Sequence, residues 1–401
     1  MLLDLAHAEA ATHPPPPHRG PRRVLFVTDH LGHDNGVIHG ASRYYLQVLP
    51  RFDPSRVRVS LCILRGRHSF SAQLECAGVS PIFLNRSKWD PRALGDLERL
   101  TRELRIDVLH CLAMKGCLFG RLVGRRLGVP ALIHLHDTND PGRVIGAIQR
   151  RVAPWTARAL AVSDRVATFA TTTMGVDPQR VEVLHNGLDG EAFASPPRGS
   201  RERIRAELSI PSAARVVLLA GRVVPGKGQR ELIQILPRLL RACPETLLLI
   251  AGEGPDLPAC RSMAKSLGVE HAVRFAGQRA DMPAVLAAAD IGTMPSLADE
   301  GFGYAALEAA AAGRPVVAFE GGALREIIAD PVTGRIVPRG DMEAFAAALQ
   351  ELLLSPLTCE SMGRAGAAHA RAFDIDAHVR RLEAIYAELA PLARGEGPRS
   401  R

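Results

Sequence analysis

Short apolar runs alternate with helix-like segments in two successive series, and this alternation limits the chain to a narrow set of folds. The first series places strand-like runs at 23–28, 57–64, 79–84, 107–112, 131–135, 159–162 and 181–184, with helical patterns between several of them, as at 96–104 and 118–127. After Asn186-Gly187-Leu188-Asp189 the stretch Ser195-Pro196-Pro197-Arg198-Gly199-Ser200 breaks the pattern. A second series follows at 216–220, 246–251, 273–276, 290–294, 316–319 and 335–337. Continuous apolar strands separated by helices imply parallel sheets covered on both faces. The chain therefore reads as α/β, with two Rossmann-like domains in tandem and a ligand cleft between them. The expected division is a disordered Pro-rich tail over 1–21, an N-terminal domain over 22–195, a second domain over 196–376, and a C-terminal helix and tail over 377–401.

At 401 residues, two or three domains of ordinary size are accommodated. With 47% hydrophobic and 23% charged residues, global disorder is excluded. No run approaches about 18 uninterrupted apolar residues, so no membrane-spanning helix is expected. The start, Met1 to His7, makes a poor signal peptide. Seven scattered cysteines without a Cys-x-x-Cys fit buried, reduced thiols. These features together predict a cytoplasmic location.

The net charge of +8 is unevenly placed. Residues 22–194 carry 24 Lys and Arg against 16 Asp and Glu, whereas 195–390 carry 22 against 23. The basic first half suits an anionic partner, such as an acidic lipid surface on the inner face of the membrane or a phosphorylated acceptor. Nucleic acid is not the expected partner.

The segment from 290 to 319 organises the second half. Asp290-Ile291-Gly292-Thr293-Met294 reads as a strand, Tyr304 to Ala312 as a helix stopped by Gly313-Arg314-Pro315, and Val316 to Phe319 as the next strand. Between strand and helix lies Glu300-Gly301-Phe302-Gly303. Its glycines let backbone N–H groups approach a ligand, and the helix start adds partial positive charge suited to phosphate or a sugar oxygen. Glu300 in the turn and Glu308 one turn into the helix both have access to the crevice at the strand ends.

Gly221-Arg222-Val223-Val224-Pro225-Gly226-Lys227-Gly228 approaches the phosphate-loop pattern, but Gly228 stands where that loop needs Ser or Thr for magnesium. What survives is a pair of cations, Arg222 and Lys227, able to neutralise a diphosphate without metal. Gly252-Glu253-Gly254 lacks a third glycine and runs into Pro255, so it is not a dinucleotide fingerprint. Asp374-Ile375-Asp376 resembles a metal-holding Asp-x-Asp but precedes a helical tail, where Asp is an ordinary cap. His134-Leu135-His136-Asp137 lacks the i, i+4 pairing of a helical zinc site. His136 is read as facing the cleft and His134 as directed into the sheet.

Taken together, these residues resemble glycosyltransferase family 4, retaining enzymes of the GT-B fold that use nucleotide sugars. Glu300-x7-Glu308 with Gly301-Phe302-Gly303 is similar to its E-x7-E element, and Gly221-Arg222 with Lys227-Gly228 to its diphosphate-binding G-R-x4-K-G. Residues 183–189 resemble the segment closing the first domain, and Gly321-Gly322 with Glu326 the element after the following strand. One departure is Ile38-His39-Gly40-Ala41, where family members often carry Gly-Gly.

The resemblance implies that Arg222 and Lys227 bind the donor diphosphate and Glu308 the ribose. Glu300, with the N–H groups of Gly301, Phe302 and Gly303, would hold the transferred sugar. His136 would meet that sugar near the acceptor, and backbone near Phe275-Ala276-Gly277 the base. Gly221 and Gly40 complete the donor-binding set. The implied reaction is hexosyl transfer from a nucleotide-diphosphate sugar to a glycan, lipid-linked or small-molecule acceptor, with retention and with no metal or other cofactor. It belongs with polysaccharide or glycolipid biosynthesis. The alternatives are a nucleotide-sugar epimerase or phosphorylase on the same fold, or a non-catalytic nucleotide-sugar-binding relative.

Overall fold

A computed structural model of the chain describes residues 20–32, 40–88, 90–298 and 300–391. The Pro-rich segment expected as a tail lies outside the described residues up to 19, as do residues 33–39 with His39, Trp89, Asp299 and 392–401. The chain divides into two compact units: one runs to His185 and resumes at Asp376, and the other is Asn186–Ile375.

The first unit is built on seven strands: β1 (Arg22–Thr28), β2 (Val57–Ile63), β3 (Ile82–Phe83), β4 (Val108–Leu112), β5 (Ala131–Leu135), β6 (Arg158–Ala161) and β7 (Val181–Val183). They lie in the order β3-β2-β1-β4-β5-β6-β7, every pair parallel. All residues of β4 and β5 are buried, as expected for strands covered on both faces. β3 is shorter than its apolar run. The helix Ser71–Cys76 ends at left-handed Gly78, and the Val79 N–H caps that helix by donating to the Leu74 carbonyl at 2.9 Å. Val79 thus belongs to the helix stop.

The second unit carries β8 (Arg215–Ala220), β9 (Thr246–Ala251), β10 (Val273–Gly277), β11 (Ile291–Met294), β12 (Val316–Phe319) and β13 (Gly334–Val337), in the parallel order β10-β9-β8-β11-β12-β13. Val217, Leu219 and Ile250 from the sheet meet Ile233, Leu236 and Leu349 from the helices, and Phe319 packs edge-on against Phe345 at 5.0 Å. Both units are therefore Rossmann-like, as the alternating pattern predicts.

The division between units falls after His185, earlier than the Pro-Gly-Ser stretch at 195–200. The helices Gly190–Ala194 and Ser200–Glu207 flank that stretch and both pack within the second unit. Phe193 is buried, and Asp290 accepts from Arg201 at 2.9 Å and from Arg205 at 3.1 Å. Pro and Gly here mark a corner inside a domain. The last helix, Ile375–Leu389, begins directly after Asp374, which stands at its N-cap position. From Asp376 onward this helix belongs to the first unit. Val379, Leu382, Ile385 and Tyr386 are buried, Arg381 pairs with Glu182 at 2.7 Å, and Glu388 pairs with Arg158 at 2.9 Å.

Candidate functional site

The strand order of the second unit creates a crevice at a definite place. From β8 the chain steps outward through β9 and β10, then returns to lay β11 on the other flank of β8. Loops after β8 and β11 therefore leave the same sheet edge in opposite directions, which opens the ligand-binding gap of a doubly wound sheet. The Thr293 hydroxyl ties the two strands by donating to the Leu218 carbonyl at 2.9 Å.

The two motifs singled out in the sequence are the loops flanking this gap. Lys227, after β8, forms an ion pair with Glu300, after β11. Their side chains are 25% and 17% exposed, so the pair is accessible from the crevice while partly shielded from water. The loops also hold each other directly. The Leu297 N–H donates to the Gly226 carbonyl at 2.8 Å, and a Cβ on Gly228 (φ 93°) would overlap Pro295. Behind Glu300, Gly322 (φ 55°) lies so close that a Cβ would overlap the Glu300 carbonyl oxygen. Glycine is thus required at both positions for the loops to meet.

Arg222 is half-buried on the same loop as Lys227, and its carbonyl accepts from the buried Gln229 side chain at 2.9 Å. Gly221 follows β8 directly and donates to the Ala251 carbonyl at 2.9 Å. Glu308 is buried in the helix Tyr304–Ala311. That helix starts after left-handed Gly303, and the Ala306 N–H donates to the Gly303 carbonyl at 3.0 Å. Phe302 is buried against Tyr304 and Phe373, with centroids at 5.3 and 6.0 Å, and so anchors the turn that carries Gly301. Gly277 ends β10, near the Glu253 carboxylate. Arg222, Lys227, Glu300 and Glu308 thus share one unit and one sheet edge. The arrangement brings one cation, Lys227, and one carboxylate, Glu300, together at the gap, with Arg222 on the loop of the first and Glu308 in the helix that follows the second.

His136 and Gly40 belong to the first unit. Gly40 opens the helix Gly40–Val48, and His136 follows β5, its ring 4.8 Å from Tyr44 and 4.4 Å from His134. His134 is buried as anticipated, inside a network not visible in the sequence. His110 on β4 makes contacts with Tyr386 Oη at 2.6 Å and His134 Nδ1 at 3.1 Å. Tyr44 Oη lies 3.0 Å from His378 Nε2, and His378 Nδ1 lies 2.7 Å from the His185 carbonyl. Burial pushes His136 down to about 3 and His378 to about 4, and holds His110 and His134 well below the ordinary imidazole range; neighbouring imidazoles add to this for His110, His134 and His136. All four are therefore neutral near pH 7. Among the described residues no cluster of His, Cys, Asp and Glu is placed to hold a metal ion.

Sequence reasoning missed Gln229, Pro295 and the His110–His378 network. A histidine inside the apolar run of β4 was the available signal for the last.

The family model described as glycosyl transferases group 1 matches residues 200–369, and the model described as Glycosyltransferase Family 4 matches 38–192. The chain is 41% identical to a GDP-mannose-dependent alpha-(1-6)-phosphatidylinositol monomannoside mannosyltransferase of Mycolicibacterium smegmatis, over 69% of this chain and 75% of that protein. It is 34% identical to a D-inositol 3-phosphate glycosyltransferase of Segniliparus rotundus over 67% of this chain, and spans 63% of that relative's length. A corresponding enzyme of Corynebacterium glutamicum is spanned over 52% of its length, at 37% identity across 52% of this chain. In fold, the chain resembles Anabaena HepE in complex with UDP, with a TM-score of 0.80, 21% identity, and coverage of 91% of this chain and 100% of that one. With two Rossmann-like units of the GT-B class and both of its halves matched, this chain belongs to glycosyltransferase family 4.

Proposed function

We propose that this protein transfers a hexosyl group from a nucleotide-diphosphate sugar to an acceptor with retention at the anomeric carbon, and that it does so without a resident metal. The acceptor classes are a glycan, a lipid-linked molecule or a small molecule. The names of the mannosyltransferase and inositol phosphate relatives favour the lipid-linked and phosphorylated ones. The observation that carries the reading is the meeting of Lys227 and Glu300 at the switch point.

The chemical demand is separation of charge: pyrophosphate departs as the sugar becomes oxocarbenium-like. In this reading Arg222 and Lys227 receive the leaving charge, and preorganised charge of this kind is commonly the largest catalytic term. Without ligand, Lys227 and Glu300 neutralise each other. With donor bound, Lys227 turns to phosphate oxygen and Glu300 to sugar hydroxyls, so binding replaces one charge pair by two better-used contacts. Glu308 holds the ribose. Glu300 acts by binding sugar hydroxyls and not as a nucleophile. The departing phosphate oxygen takes the acceptor proton on the face it leaves. We place the reaction in the reducing cytosol, in keeping with cysteines that are all free and mostly buried.

Incubation with GDP-mannose, UDP-glucose, ADP-glucose and dTDP-glucose, with and without inositol phosphates and phosphatidylinositol, tests the proposal. The expected result is acceptor-dependent release of nucleoside diphosphate from one donor, changed less than about twofold by excess EDTA. Sugar isomerisation without acceptor would point to the epimerase alternative. Donor binding without turnover would point to a non-catalytic relative, and loss in EDTA restored by magnesium would remove the metal-independent mechanism.

A further inference from the structure

We infer that the amino edge of the second unit's sheet carries a binding site for a phosphate-class oxyanion, framed by Arg201, Arg215 and Arg314. This edge lies at the opposite ends of the parallel strands from the loops that carry Lys227 and Glu300. Three elements bring the guanidinium groups there. Arg201 stands in the first turn of the helix Ser200–Glu207, Arg215 opens β8, and Arg314 precedes β12 in the turn made by left-handed Gly313. Arg201 donates to the Ala287 carbonyl at 3.0 Å and Arg314 to the same oxygen at 3.4 Å, so two like charges converge on one acceptor.

The cations exceed the negative charge facing them. Asp290 is the carboxylate at this edge, and both its oxygens are occupied. One accepts from Arg201 at 2.9 Å, the other from the buried Arg205 at 3.1 Å and from the Val216 N–H at 2.8 Å. The helix Met282–Ala288 ends here and adds about half a negative charge. Against roughly one and a half negative charges stand the guanidinium groups of Arg201, Arg205, Arg215 and Arg314. Capping the helix does not account for all of them. Arg201 already donates to the carbonyls of Ala287 and Ala289, and Arg205 to that of Ala288 at 3.2 Å. Arg314 is the least satisfied. Its Nε is shut off from solvent and meets no acceptor among the described residues. Burial, with Arg201 beside it, holds its guanidinium below the ordinary range. Arg215 and Arg314 also both act on the Cys359 thiol, which burial and Asp290 push up. A guanidinium with unused N–H groups grips phosphate bidentately, and neighbouring ones fix a dianion between them. Arg201 is 38% exposed and Arg215 and Arg314 are half-buried, so the cluster opens to solvent. A dianion matches the surplus better than a single carboxylate does.

Thermal shift and calorimetry of the full chain test this, with inorganic phosphate and with glycerol 3-phosphate, against chloride at matched ionic strength. The proteins are the parent, Arg314→Gln, Arg215→Gln and Lys227→Ala. The expected result is saturable binding of phosphate, of its monoester or of both by the parent, weakened about tenfold or more in each arginine variant and retained in Lys227→Ala. Inorganic phosphate alone would mark the ligand as the free ion, and both together a phosphate monoester. The response to UDP and GDP should stay unchanged in the arginine variants, which shows that they fold. No phosphate response beyond that of chloride in the parent would overturn the proposal. So would equal phosphate affinity in the parent and both arginine variants, which would leave the arginines as helix-end caps. A response abolished in Lys227→Ala and kept in the arginine variants would also overturn it, since the anion would then sit at the gap after β8. Phosphate binding at this edge with no nucleotide response would count against the transferase reading alone.

Discussion

Lys227→Ala is expected to lower kcat by about 10²–10³ while leaving the fold in place. Lys227 lies in a loop, with its side chain partly exposed and paired to Glu300. Removing it takes away no core packing and leaves the Glu300 carboxylate in reach of water, so the cost to stability is at most about 1 kcal/mol. The catalytic cost is larger because the ammonium group acts where charge develops on the departing pyrophosphate, in a partly desolvated crevice. Steady-state kinetics with the cognate donor, next to the melting temperature of each protein, would show the split. Near-normal kcat in a folded variant would contradict the assigned role.

Acidification is expected to destabilise the first unit steeply between about pH 6.5 and pH 4. His110, His134 and His378 are buried and His136 half-buried, and all four are held neutral by their surroundings. An unfolded histidine takes up its proton near pH 6.5. The folded groups resist until far lower, about 4 for His378 and about 3 for His136. Between those values the unfolded chain binds more protons than the folded one, so stability rises with pH. It is complete above pH 6.5 and declines as pH falls toward the folded values. At pH 5 a histidine so held costs about 2 kcal/mol. His110 Nε2 and His134 Nδ1 lie 3.1 Å apart, so a proton added to either ring disturbs the other. Several such groups together approach the whole stability of a domain, about 5–15 kcal/mol. Melting monitored across pH 7 to pH 4.5 should show a drop of about 10 °C or more, reduced in His378→Gln. A flat melting temperature across that range would show that the network protonates without cost.

Much of this architecture is legible in the chain. The β-branched and Leu-rich runs mark the strands because a covered parallel strand buries both faces. Gly313-Arg314-Pro315 marks a helix stop because neither glycine nor proline continues a helix. The Lys227 and Glu300 loops were legible separately, as Gly-punctuated turns after strands. Their meeting depends on β8 and β11 being neighbours, a property of strand order that periodicity does not encode. The network of His110, Tyr44 and His378 was hidden for a related reason: Tyr44 and His378 lie 334 positions apart and meet only because the last helix returns to the first unit. The division between units was displaced because Pro and Gly report a local turn, whereas a domain boundary is set by which contacts form. Arg201 and Arg205 reach Asp290 across a distance in sequence that composition does not reveal.

Calorimetric titration of UDP and GDP against UMP and GMP, in the parent chain and in Lys227→Ala, tests the central claim most directly. If the loop after β8 grips a pyrophosphate, the cognate diphosphate binds at least tenfold tighter than its monophosphate, and the variant loses most of that difference. Equal affinity for the two in the parent chain, or an unchanged difference in the variant, would contradict it.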